Sequence, residues 1–67
     1  MNIIVNNNNI ELPANIITIS DFAKLKNIPV QATAIALNGK LVKSDRWSIT
    51  KLSEMDNLLV ISASFGG

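Results

Sequence analysis

A chain of 67 residues with no cysteine and no histidine has to hold its fold together by apolar packing and backbone hydrogen bonds alone. Disulfides are impossible, and the thiolates and imidazoles that build most structural zinc sites are missing. Domains usually hold about 100–150 residues, so this length allows one domain with one small core. A single helix or hairpin could not bury enough surface to be stable. Several short elements must therefore share one interior.

The same absences restrict chemistry. Without a thiol or an imidazole there is no common nucleophile–base pair. The five carboxylates, Glu11, Asp21, Asp45, Glu54 and Asp56, show no spacing that suggests an acid–base couple. A self-contained enzyme is not expected, and neither is a metal site. A carrier, a tag or a binding module fits better. Six Lys/Arg against five Asp/Glu and 4% aromatic residues suit neither phosphate-backbone binding nor base stacking, so no nucleic-acid partner is expected. No apolar run approaches the ~20 residues of a membrane span, and no basic-then-apolar leader opens the chain. A cytoplasmic protein with no membrane partner is the expectation.

Apolar segments appear in a definite order. Ile3-Ile4-Val5 reads as a strand, and the run Asn6-Asn7-Asn8-Asn9 reads as a hairpin turn, because asparagine tolerates positive φ. The run could also be a low-complexity spacer. Ile10-Glu11-Leu12 alternates like a half-buried return strand that Pro13 ends. Thr18 with Asp21 matches a capping box, with Ser20 as the alternative cap. Ile19, Phe22, Ala23 and Leu25 form the apolar stripe of a short helix, Lys24 and Lys26 its solvated face, and Asn27 and Pro29 its end. Thr33 to Leu37 is a strand closed by the turn Asn38-Gly39, and Leu41-Val42 is a short strand. Ser44 to Trp47 reads as a loop or single turn in which Trp47 caps the core. Ile49 and Leu52 cover one end of that core, and Leu58 to Ile61 is the last strand.

This order predicts an α+β fold: a mixed sheet of four to five strands with one short helix packed on one face. Strands covered on one face should alternate in polarity, yet Ile3-Ile4-Val5 and Leu58-Leu59-Val60-Ile61 are apolar at both parities. If Ile3, Val5, Ile35, Leu37, Leu58 and Val60 face the helix, then Ile4, Ala36, Leu59 and Ile61 lie on the opposite face, which nothing remains to cover. Apolar residues make up 48% of the chain and charged ones only 16%, which favours a partner-docking patch there over scattered surface aliphatics.

The chain closes with Gly66-Gly67 after a strand, so Gly67 is expected to carry the α-carboxylate on a lead without side chains. With this ending, the chain resembles the ubiquitin-like β-grasp sulfur carriers of the ThiS type, which serve thiamine biosynthesis. The resemblance covers nearly the whole sequence. It includes the opening Met-x-Ile strand with Asn6 at its end, the helix after Thr18, and Ala36-Leu37-Asn38-Gly39-Lys40-Leu41-Val42 followed by Arg46-Trp47. Glu54, Asp56 and Leu58 to Ile61 then lead to Gly66-Gly67. Met55 stands where the family commonly has glycine in an acidic–Gly–Asp turn. A turn of another conformation is expected there, with Asn57 taking the left-handed position.

The resemblance implies a β-grasp domain over residues 1–63 and a flexible tail over 64–67. It implies that Gly67 is adenylated by an E1-like, ThiF-type enzyme that uses ATP, the chain itself binding no cofactor. A cysteine desulfurase system then supplies the sulfur that turns Gly67 into a thiocarboxylate, and a ThiG-type thiazole synthase receives it. Gly66, Phe65 and Ser64 would thread partner active sites. Phe65 either anchors in a partner groove or folds back on the domain edge. A MoaD-type molybdopterin synthase subunit, or a ubiquitin-like interaction module or modifier, shares the same tail.

Overall fold

A computed structural model describes residues 1–62. Strands β1 (Asn2–Val5) and β2 (Asn8–Glu11) precede helix α1 (Ile19–Leu25), and β3 (Thr33–Leu37), β4 (Lys40–Val42) and β5 (Asn57–Ser62) follow it. Three-residue-per-turn helical stretches occupy Val30–Ala32 and Ser44–Ile49. The sheet order is β2-β1-β5-β3-β4. β1 and β5 run parallel, and the other neighbours are antiparallel. The mixed sheet with one helix on one face is the architecture expected, with five strands.

Both hairpins turn on asparagine. Asn6 and Asn7 have φ of 50° and 70°, and Asn38 and Gly39 have 50° and 87°. Positive φ at both central residues is what a two-residue hairpin needs to match strand twist. The first turn is therefore tighter than the asparagine run: Asn8 and Asn9 already pair with Val5 and Ile4 as the start of β2.

Thr18 caps α1, and Ser20 lies inside the helix. The Asp21 N–H donates to Thr18 Oγ1 (3.1 Å), while the Asp21 carboxylate accepts from the N–H groups of Thr18 and Ile17 (3.0 Å each). The backbone hydrogen bond from Thr18, then that from Ile17, holds the Asp21 carboxyl below its usual value of 3.8. A depressed folded pKa stabilises the fold above the unfolded value and loses that contribution as pH falls through the folded one. Urea unfolding across this range should show a steeper acid loss of stability, below about pH 4, in the wild type than in Asp21→Asn. Parallel curves would count against the cap.

The helix ends in a six-to-one and five-to-two hydrogen-bond pair, Ile28 N–H to Ala23 O (2.9 Å) and Asn27 N–H to Lys24 O (3.2 Å), with Asn27 at φ 54°. This is a Schellman end in which asparagine takes the place of glycine.

Ile3, Leu12, Ile16, Ile19, Phe22, Ala23, Ile35, Trp47, Leu52 and Leu58 form the core, with Val5, Leu37 and Val60 packed against it. The helix-facing parity of the strands is thus as expected. Two expectations fail. Leu25 is 42% exposed, because at about 100° per residue it sits well off the face shared by Ile19, Phe22 and Ala23. Ile49 is exposed while Leu52 is buried. The tight helical stretch turns Trp47 inward and Ile49 outward, and Leu52 is fixed by its N–H bond to Ile17 O (2.8 Å). Trp47 caps the core as expected, its indole N–H donating to Val42 O (2.9 Å).

The turn before β5 also departs from expectation. Met55 itself takes the left-handed conformation, with φ of 66°, and Asn57 opens β5. The N–H of Met55 donates to Asn2 O (2.6 Å), and Asp56 N–H to Ser53 O (3.0 Å). The Asp56 carboxylate accepts from Ser53 N–H (2.7 Å) and from Asn38 Nδ2 (3.0 Å). These bonds fix a conformation that glycine would adopt freely, and the half-exposed methionine side chain offers little packing in return. Met55→Gly should raise stability by about 0.5–1 kcal/mol, the left-handed strain relieved less the entropy glycine adds to the unfolded chain. A lower urea midpoint in this variant would contradict the strain.

Candidate functional site

β5 is a central strand, and its last residue, Ser62, is also the last described residue of the chain. On one side it pairs with β3 through to Ser62, opposite Thr33. On the other side β1 stops at Val5, and Asn6 continues the pairing with its side chain. The Val60 N–H donates to Asn6 Oδ1 (2.8 Å), and Asn6 Nδ2 donates to Val60 O (3.2 Å). The Asn6 N–H also bonds Leu58 O (3.0 Å). One side-chain amide thus mimics one more residue of strand. Asn6 was visible in the sequence as a turn residue, but no local pattern reveals that its amide reaches a strand 54 positions away.

The sheet face opposite α1 carries the expected apolar parity. Leu59 is 48% and Ile61 56% exposed, while Ala36 and Ile4 are half-buried. Register places Ala36 opposite Leu59 and Ala34 opposite Ile61. Ile4 lies one strand over, beside Asn57. The structure therefore puts all four predicted patch residues on one face. It adds Leu41, 68% exposed and directly opposite Ala36, so Leu41, Ala36 and Leu59 form a row across three strands. Leu41 could have been found from period two: with Val42 packed on the core, its neighbour must point outward. An open cleft of about 510 Å³ next to this row is lined by Asn7, Ala36, Asn38, Gly39, Asn57 and Leu59.

Ser64, Phe65, Gly66 and Gly67, named from the sequence as tail and covalent site, lie outside the described residues. Among the described residues no group of three or more Asp or Glu side chains could hold a metal ion, and no helix is long and apolar enough to cross a membrane.

A two-hairpin mixed sheet of this order, with one helix across its inner face and the first and last strands parallel in its middle, defines the ubiquitin-like β-grasp fold. Its particular form is that of the ThiS-type proteins. The crystal structure of a thiamine biosynthesis protein (ThiS) from Geobacter metallireducens superposes with a TM-score of 0.81 at 19% sequence identity, covering 100% of both chains. No protein-family model matches the chain, and no curated protein does.

Proposed function

We infer that this chain is a protein-based sulfur donor for thiazole formation in thiamine biosynthesis, acted on by partner enzymes rather than catalysing a reaction itself. The observation that supports this reading is the pairing of a ThiS-type fold matched over 100% of the chain with glycines at positions 66 and 67, four and five positions after Ser62. A carboxylate is a poor acyl donor because its charge repels nucleophiles and an oxide is a poor leaving group. In the proposed route the Gly67 carboxylate oxygen attacks the α-phosphorus of ATP on an E1-like enzyme, and pyrophosphate leaves. A persulfide sulfur then attacks the carbonyl carbon of the acyl-adenylate and AMP leaves. A second thiol cleaves the resulting acyl disulfide, leaving the thiocarboxylate on Gly67 and a disulfide on the donor. Thiazole synthase consumes the sulfur. Gly66, Phe65 and Ser64 form the lead that enters each active site.

Ile4, Ala36, Leu59 and Ile61, joined by Leu41, are the face on which these enzymes dock. Intact-mass spectrometry of the chain expressed with an adenylating enzyme and a cysteine desulfurase tests the chemistry. The expected product has one oxygen exchanged for sulfur. No such species under any sulfur supply would refute the assignment. The docking face has its own check: Leu59→Lys should weaken the complex with the adenylating enzyme while changing stability by no more than about 0.5 kcal/mol, as surface substitutions usually do. Unfolding of that variant would mean that the outer face is core.

A further inference from the structure

β4 is an edge of the sheet, and its surroundings are unlike the other edge. Between β4 and the helical stretch Ser44–Ile49 lies an open groove of about 500 Å³, lined by Leu37, Lys40, Leu41, Val42, Lys43, Arg46 and Thr50. Three of the chain's six cations border it, all exposed, and among the described residues no carboxylate does. Asp45, between Lys43 and Arg46 in sequence, lines the neighbouring cleft with Val30 and Gln31 instead. The floor is aliphatic, from Leu37 and Val42.

Backbone groups complete the surface. Leu37 and Lys40 flank the two-residue turn and pair with each other, and Val42 pairs with Ile35. In an antiparallel ladder alternate residues direct their N–H and C=O to opposite sides, so Leu41 directs both away from β3, toward the open edge. An extended chain laid along β4 would meet these two groups, the aliphatic floor and the three cations together. Edge addition of this kind takes its affinity from main-chain bonds and its specificity from alternate side chains.

We propose that this groove is the docking site for an extended acidic segment of a partner protein, one in which carboxylates alternate with aliphatic side chains. The strand edge selects a polypeptide over a nucleic acid, and among the described residues no exposed aromatic ring lines the groove for a base to stack on. The aliphatic floor selects against a purely polyanionic tail. The surface stands independently of the sulfur-carrier reading, because its occupant is recognised by charge and strand pairing and not by Gly67.

The test is an NMR titration of the isotope-labelled full chain with two synthetic peptides, one alternating glutamate with valine and leucine, the other its glutamine counterpart. The acidic peptide should shift the amides of Lys40 to Lys43 and Arg46 and slow exchange of the Leu41 amide. It should also change the fluorescence of Trp47, whose indole is bonded to Val42 O in the groove wall. Binding should weaken at least about tenfold in the double variant Lys43→Glu/Arg46→Glu, since like charges across an interface are strongly unfavourable. It should be unchanged in Lys24→Glu/Lys26→Glu, which alters the helix and not the groove. Equal binding of the glutamine peptide, indifference to the groove variant, shifts confined to other surfaces, or no binding of either peptide would overturn the proposal. So would displacement of the acidic peptide by a single-stranded oligonucleotide at equal concentration.

Discussion

Phe22→Ala is expected to leave most molecules unfolded at room temperature. Phe22 is 1% exposed and, with Trp47, one of the two largest buried side chains among the described residues. It stands where α1 crosses the sheet, near Val5, Ile10, Ile28 and Val60. Truncating a buried phenylalanine costs about 3–5 kcal/mol, the transfer energy of the ring plus the void left behind. A core of this size, with no disulfide, supplies a total of only about 3–5 kcal/mol. The loss and the stability are thus of the same size. Phe22→Leu keeps most of the volume and should cost about 1.5 kcal/mol or less, leaving a cooperative urea transition visible through Trp47. If Phe22→Ala unfolds within about 1 kcal/mol of the wild type, the helix is not the keystone that its burial makes it.

The contrast between Phe22 and Leu25 shows what could be read from the sequence. Strand periodicity was legible because a period of two leaves no choice of face. Once Ile3, Ile35 and Leu58 are inside, Ile4, Ala36 and Leu59 are outside, as the structure places them. The hairpin turns were legible from the run Asn6 to Asn9, of which only the first two residues turn, and from Asn38-Gly39, because few residues accept positive φ. Helical faces were harder. Over seven residues of α1 an apolar stripe is barely sampled, and the pattern alone gives Leu25 the same inward face as Phe22. Ile49 faces solvent because the stretch around it winds at three residues per turn, and no local pattern announces that geometry. Met55 departs from expectation for the opposite reason. Propensity argues against a left-handed methionine, but four hydrogen bonds at the turn, reaching Asn2 and Asn38, override it. Long-range pairings of this kind, like the Asn6 bridge to Val60, carry no sequence signature. The outer face of the candidate site followed from parity alone, whereas Leu41 went unnoticed because β4 is only three residues long.

Appending a single residue after Gly67, or replacing Gly66 by valine, should lower ATP–pyrophosphate exchange on an E1-like adenylating enzyme by at least about 100-fold, the scale on which misplacing a reacting atom acts. Extension leaves a carboxylate in existence but moves it one residue past the position where the α-phosphorus of ATP is held. The valine variant keeps the carboxylate in place and adds a side chain to a lead that, in the proposed mechanism, passes through a narrow channel. The two changes separate reach from width. Neither should move the urea midpoint, because the core that the described residues form lies between Ile3 and Leu58, and both changes fall after Ser62, which pairs with Thr33. Loss of exchange with stability intact would place the chemistry on Gly67 and make the folded domain its handle. Normal exchange in the extended protein would mean that the carboxylate is not the acceptor, and the paired glycines would then need another account. A fall in exchange accompanied by a fall in the urea midpoint would instead assign the ending a part in the fold, and the carrier mechanism would lose its main support.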